Sequence, residues 1–122
     1  MTDDDLALMR AAREVRIETS RGPGAPVHRT IIWVVVDDVD RVLVRTYRGA
    51  GSRWYREALA HPRVRLLSGD RAVPLVVERA DDPERIAACS DGLRAKYRPG
   101  PSLDAMLRDE VLDTTLQLRP PN

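Results

Sequence analysis

Three short groups of residues in this sequence could together hold an anion. Arg29 opens an apolar stretch, Arg45-Thr46 closes the next one, and Gly51-Ser52-Arg53 follows within a few residues. Arginine's planar fork suits bidentate contact with phosphate or carboxylate. A serine at a helix start brings a hydroxyl beside free backbone N–H groups, an arrangement that receives anions. Trp54-Tyr55 comes next and offers aromatic surface. Donors converging beside flat apolar groups suit a phosphate-bearing, ring-shaped ligand better than a bare hairpin. Each residue also has a plainer use. Arg29 could be an exposed strand end, and Ser52 only an N-cap. Trp54 and Tyr55 could pack on a sheet. Arg45 alternates outward from Val42 and Val44, where it could meet either an acid on a neighbouring strand or a phosphate.

Other chemistries lack their residues. Gly49-Ala50-Gly51-Ser52-Arg53 has neither the spacing nor the lysine of a Walker loop. It also lacks the third glycine and the βαβ setting of a dinucleotide fingerprint. His28 and His61 have no nucleophile or carboxylate partner in view, so a hydrolytic triad is unsupported. The single Cys89 and the two histidines give no metal framework, and Asp3-Asp4-Asp5 and Asp81-Asp82 look like helix-start acids. No pattern nominates a general acid, so the catalytic residues stay unknown at this stage.

Charge is placed unevenly. The net charge is only +1, yet residues 41–79 hold nine arginines against Glu57, Asp70 and Glu78, a local balance of +6. Nearly every base is arginine; Lys96 is the only lysine. Nucleic-acid binding is a poor fit, because these charges are spread over strands and turns with few aromatics between them. No apolar run approaches the roughly 20 residues of a membrane span. The start, MTDDDLALMR, is acidic and unlike a signal peptide. With one cysteine, the reducing cytoplasm is the expected location.

The elements that must position these residues follow from periodicity. The chain of 122 residues, 43% hydrophobic and 32% charged, is expected to form one domain over 1–122. A short N-terminal helix lies within 1–14, with Thr2 or Asp3 as cap. Val15–Thr19 alternates as a half-buried strand, and Arg21–Pro26 is a turn. Val27–Val36 reads as one long strand, central because Thr30–Val36 is almost wholly apolar and β-branched. Arg41–Thr46 is the next strand. Ser52–Ala60 is a helix that His61-Pro62 ends. Val64–Leu67 and Ala72–Glu78 form a hairpin across Ser68–Arg71. A helix starts at Asp82-Pro83 and runs to about Tyr97, burying Cys89 on its apolar face. A short helix lies near Leu103–Arg108, and Val111–Arg119 alternates as a last strand. Six antiparallel strands with few helices predict a mainly β, α+β fold: a small barrel over 15–119 whose closure removes exposed edges.

On these residues the sequence resembles the FMN-binding split-barrel superfamily, which includes pyridoxamine-phosphate-oxidase-like and deazaflavin-dependent nitroreductase-like proteins. More narrowly it is similar to a small bacterial family of that superfamily with no assigned function. The resemblance covers about residues 15–119. It rests on the order and spacing of Arg29–Val35, Val44-Arg45-Thr46, Gly51–Tyr55 and His61-Pro62-Arg63-Val64.

The resemblance implies a split barrel that binds FMN or the deazaflavin coenzyme and transfers hydride to a small organic substrate. It implies that Arg29, Thr30, Ile31 and Ile32 lie along the ring or ribityl chain, with Arg29 also near the phosphate. Arg45 and Thr46 would face the ring edge and phosphate, Ser52 and Arg53 would hold the phosphate, and Trp54 or Tyr55 would wall the pocket. Arg53 stands where the superfamily usually has lysine, and His61 where it often has asparagine. Such proteins are typically homodimers with the cofactor at the interface. The competing expectation is a cofactor-free barrel that binds a small ligand or a partner.

Overall fold

The computed structural model describes residues 1–121. The chain forms helix α1 (Asp3–Ala11) and strands β1 (Val15–Ser20), β2 (Val27–Ile32), β3 (Val35–Val36) and β4 (Val42–Val44), then helix α2 (Arg53–Ala60). Strands β5 (Arg63–Ser68) and β6 (Arg71–Arg79) follow, then helices α3 (Pro83–Lys96), α4 (Pro101–Leu107) and α5 (Asp109–Leu112), and strand β7 (Leu116–Arg119).

All ladders are antiparallel, in one seven-stranded sheet of order β2-β1-β5-β6-β7-β4-β3. The two edges, β2 and β3, are successive in the chain, with only Trp33 and Val34 between them. The sheet must therefore curl until its edges meet, which makes an α+β split barrel. The run expected as one central strand, Val27–Val36, bends at Trp33-Val34 and serves both edges, so there are seven strands instead of six.

Helix α3 holds the seam. The Tyr97 hydroxyl donates to the Arg13 carbonyl at 2.5 Å and accepts from the Val34 N–H at 3.3 Å. Lys96 Nζ donates to the Met9 carbonyl at 2.9 Å and the Val34 carbonyl at 2.6 Å. Burial pulls the Lys96 ammonium down to about 8. The Trp33 ring lies on the Tyr97 ring at 3.8 Å, nearly parallel. Tyr97→Phe keeps the stack but orphans the Val34 N–H and the Arg13 carbonyl. It is expected to cost about 1–2 kcal/mol in urea unfolding. Unchanged stability would mean that the hydroxyl is dispensable to the seam.

Two cores result. Alternating residues of the sheet, among them Ile17, Ile32, Val42, Val44, Leu66, Leu75, Leu116 and Leu118, fill the barrel, and Trp54, Tyr55 and Ala58 of α2 pack into it. The second core lies outside the barrel wall. Val35 and Leu43 meet Cys89, Leu93, Tyr97, Leu103 and Met106 of the α3–α4 layer. Where α3 comes nearest β3 the residue is Gly92; a Cβ there would lie 3.1 Å from Val35 Cβ. Strand β4 is thus covered on both faces, by the barrel interior and by helices. Burial pushes the Cys89 thiol up to about 11, so it stays protonated as a small core residue.

The last element departs from expectation. Residues 109–112 form α5, and only Leu116–Arg119 pairs as a strand. The Thr114 and Thr115 hydroxyls donate to the carbonyls of Val111 and Leu112, which favours a turn where a period of two suggested extended chain.

Candidate functional site

A cleft of about 1080 Å³ opens beside the seam. Thr30, Ile31, Ile32 and Trp33 form one wall, and Thr46–Arg48 with Gly51–Trp54 form the other. Residues of α4, including Ser102 and Met106, close one side, and Glu14 is the carboxylate among the lining residues.

The start of α2 differs from those of α1 and α3. Thr2 caps α1 through a capping box with Asp5, and Asp82 caps α3 by accepting from the Arg85 N–H. Ser52 occupies the N-cap of α2, yet its side chain makes no capping hydrogen bond, and no acid lies in the first turn. Its hydroxyl instead meets the Thr46 hydroxyl at 3.2 Å. Thr46 is itself fixed. Its N–H donates to Thr114 Oγ1, and its Oγ1 accepts from the Arg48 N–H. The first N–H groups of a helix have no partner within it. Here the residues of the helix start, Ser52, Arg53 and Trp54, line the cleft together with Thr46 and Arg48. Neither Arg48 nor Arg53 has a carboxylate within ion-pair distance among the described residues. The site can therefore receive negative charge without first breaking an ion pair.

Arg45 also lines the cleft, but its placement corrects the outward, solvent-facing expectation. It does point away from Val42 and Val44, on the Leu43 side, and that side is roofed by α3 and α4. Only 1% of Arg45 is exposed. Its guanidinium donates to Thr115 Oγ1 at 2.9 Å, Ser90 Oγ at 3.0 Å, and the carbonyls of Met106 at 2.9 Å and Ile86 at 3.1 Å. All four acceptors are neutral. Burial lowers the Arg45 pKa from its ordinary value, the direction expected when no carboxylate lies against the cation.

Of the expected site residues, Thr30, Ile31, Ile32, Arg45, Thr46, Ser52, Arg53 and Trp54 all line this cleft. Arg29 does not. It sits opposite Glu18 in the β1–β2 register, and its Nε donates to Glu18 Oε2 at 3.0 Å, so the cross-strand ion pair claims it. Trp54 belongs to both settings, since it is buried in the barrel core and borders the cleft. Sequence reasoning missed Glu14, Trp33, Tyr47, Arg48 and the α4 residues as lining groups. Arg48 lay within the basic segment and could have been found there. The α4 residues arrive only through the packing of the outer helices.

Fold and cleft together define a split-barrel protein with an arginine-lined cleft at the seam. Over residues 5–118 the sequence matches the family described as "Uncharacterized protein conserved in bacteria" (DUF2255), and the chain belongs to that family. No curated protein sequence matches it. Several solved structures share the fold. One is a putative pyridoxamine 5'-phosphate oxidase from Listeria innocua, with a TM-score of 0.68 and 12% identity over 98% of this chain and 93% of that one. An F420-H2 dependent reductase (FDR-A) matches with a TM-score of 0.63 and 15% identity over 88% of this chain and 94% of its own. HutZ, a haem storage protein from Vibrio cholerae, matches with a TM-score of 0.65 and 12% identity over 98% and 89%. At these identities the likeness establishes the fold alone. Among the described residues no helix is long and apolar enough to cross a membrane.

Proposed function

We propose that the cleft binds a flat cofactor carrying a phosphate, FMN or the deazaflavin coenzyme, and that the protein is an oxidoreductase acting on a small organic substrate. The observation that carries this reading is the uncapped, acid-free start of α2, with the Ser52 and Thr46 hydroxyls and an unpaired Arg53 around it. These groups suit a phosphate. The edge of β2 from Thr30 to Ile32 suits the ring and its polyol chain. The cleft volume, about 1080 Å³, is ample for a ligand of that size.

When bound, such a ring supplies hydride transfer, while the protein contributes orientation and charge. Arg53, Ser52 and the α2 amides hold the anionic end. Arg45 adds positive potential from beneath, because nothing within reach neutralises it. Trp54 and Trp33 supply apolar wall. A haem is a poorer fit: the lining has no histidine or cysteine, and only Met106 and Tyr47 could approach an iron. We also infer a homodimer across β2, whose exposed Val27 and Ile31, with Tyr47 nearby, leave apolar surface beside the cleft mouth. The buried free thiol fits a cytoplasmic protein.

The test is a visible absorbance and fluorescence titration with FMN, with the deazaflavin coenzyme, and with riboflavin as the phosphate-free control. Arg53→Ala is expected to weaken the phosphate-bearing ligand by about 1.5–3 kcal/mol, the scale of a hydrogen bond to a charged group, and to leave riboflavin unchanged. Equal loss for riboflavin, or none for FMN, sinks the phosphate assignment. Binding of neither cofactor would favour the cofactor-free barrel, toward which the arginine in the usual lysine position already leans.

A further inference from the structure

A second, smaller pocket of about 270 Å³ lies on the far side of Arg53, lined by Arg21, Arg53, Arg56, Glu57, Ala60 and His61. We infer that it is a separate oxyanion site, one that takes a phosphate or carboxylate group.

Several arginines elsewhere in the molecule are spoken for. Arg29 and Arg65 bind Glu18, Arg41 binds Asp37 and Glu84, and Arg85 binds Glu78 and Asp82. Around this pocket three arginines are instead gathered with almost no pairing among them. Arg53 and Arg56 have no carboxylate within ion-pair distance among the described residues, and Arg21 reaches only Glu57, at 3.9 Å. Glu57 is the one acid in the lining, and its carboxylate is already engaged. Thr19 Oγ1 donates to it at 2.8 Å and His28 Nδ1 lies 3.1 Å from both of its oxygens. Three guanidinium groups against one occupied carboxylate leave a formal excess of +2 in a space large enough for a phosphate.

The pocket is also built. Arg53 and Arg56 are three residues apart on α2, about 4.5 Å of rise, and share a face. His61 ends α2, and its ring packs on the β1–β2 turn where Gly22 has φ +139°; a Cβ at that position would lie 3.1 Å from His61 Cε1. This contact fixes the turn carrying Arg21 against the end of α2. Three arginines and a histidine are thereby held around one opening, with Arg53 shared between it and the cleft.

The anion could be free, or it could be a second charged group of whatever occupies the cleft. The experiment follows the arginine Nε–H signals by NMR during titration with inorganic phosphate, then with tripolyphosphate, in the wild type and in the doubly substituted Arg21→Gln, Arg56→Gln protein. Both side chains are exposed, so the fold should be kept. The expected result is a saturable phosphate shift at Arg21 and Arg56, with affinity falling about tenfold or more in the double variant, the loss of at least one charge-assisted hydrogen bond. If tripolyphosphate gains about tenfold over phosphate and the double variant erases that gain, one ligand spans both sites. If it gains nothing, the site serves a separate anion. Shifts no larger than those of the exposed Arg16 and Arg98, or unchanged binding in the double variant, would overturn the proposal. Inorganic phosphate is the probe, so this outcome is independent of whether FMN binds the cleft.

Discussion

Replacing Arg45 with methionine is expected to lower the unfolding free energy by about 3 kcal/mol, or roughly 10 °C in Tm for a domain of this size. Two opposed effects decide the size. A buried cation with no anion beside it is costly to desolvate, so removing it relieves strain of several kcal/mol. Against this, the guanidinium bonds to four separate points of the molecule at once. It links β4 to α3 through Ile86 and Ser90, to α4 through Met106, and to the turn before β7 through Thr115. Methionine fills most of the volume but meets none of those acceptors. Each buried acceptor left without a donor costs about 1–3 kcal/mol. Four acceptors outweigh the relief. Urea unfolding of wild type and Arg45→Met, read by tryptophan fluorescence, measures the difference. A variant as stable as the wild type would show that the cation is held at a loss, which would point to a ligand as its true partner.

The barrel was legible because alternation survives where one face of a strand is solvated. Val15, Ile17 and Thr19 are buried and Arg16 is exposed, as a period of two requires. The Arg21–Pro26 turn, the Asp82-Pro83 helix start and the β5–β6 hairpin were equally readable, since glycine, proline and capping side chains act locally. Alternation fails where both faces are covered. In β4 all of Val42, Leu43 and Val44 are buried, so sequence could not reveal that Arg45 would emerge beneath helices. The seam was hidden for a related reason. An apolar run shows burial, but not the point at which a strand leaves one edge for another. That point is set by Lys96 and Tyr97, more than sixty positions away in the chain. Within the cleft, Ser52, Arg53 and Thr46 were found because helix starts announce themselves. Arg29 was drawn toward the site by its place at the strand end, and the acid facing it across the ladder was not visible until the register was known.

Glu57 carries the second large expectation, because it is a buried carboxylate whose partners belong to two different strands. Only 5% of it is exposed. Thr19 of β1 and His28 of β2 both bond to it, so α2 is tied to two strands of the sheet at this polar point. Glu57→Ala leaves the Thr19 hydroxyl and the His28 ring facing a void, and is expected to cost about 3 kcal/mol. The pH dependence has a definite sign. Burial raises the Glu57 pKa, but hydrogen bonds from His28 and Thr19 and the charges of His28 and Arg53 outweigh it, leaving the group below its ordinary 4.5. A carboxyl with a depressed folded pKa contributes its stability above the unfolded value and loses it as the pH falls through the folded one. Wild-type stability should therefore fall below about pH 4.5, partly through Glu57, and the gap between wild type and Glu57→Ala should narrow over that range. A gap that stays constant from neutral pH to acid would mean that the cost of the substitution is packing alone. The same variant bears on the anion pocket without deciding it. Removing the carboxylate raises the local positive charge, so phosphate shifts at Arg21 and Arg56 should strengthen in Glu57→Ala even as the fold weakens.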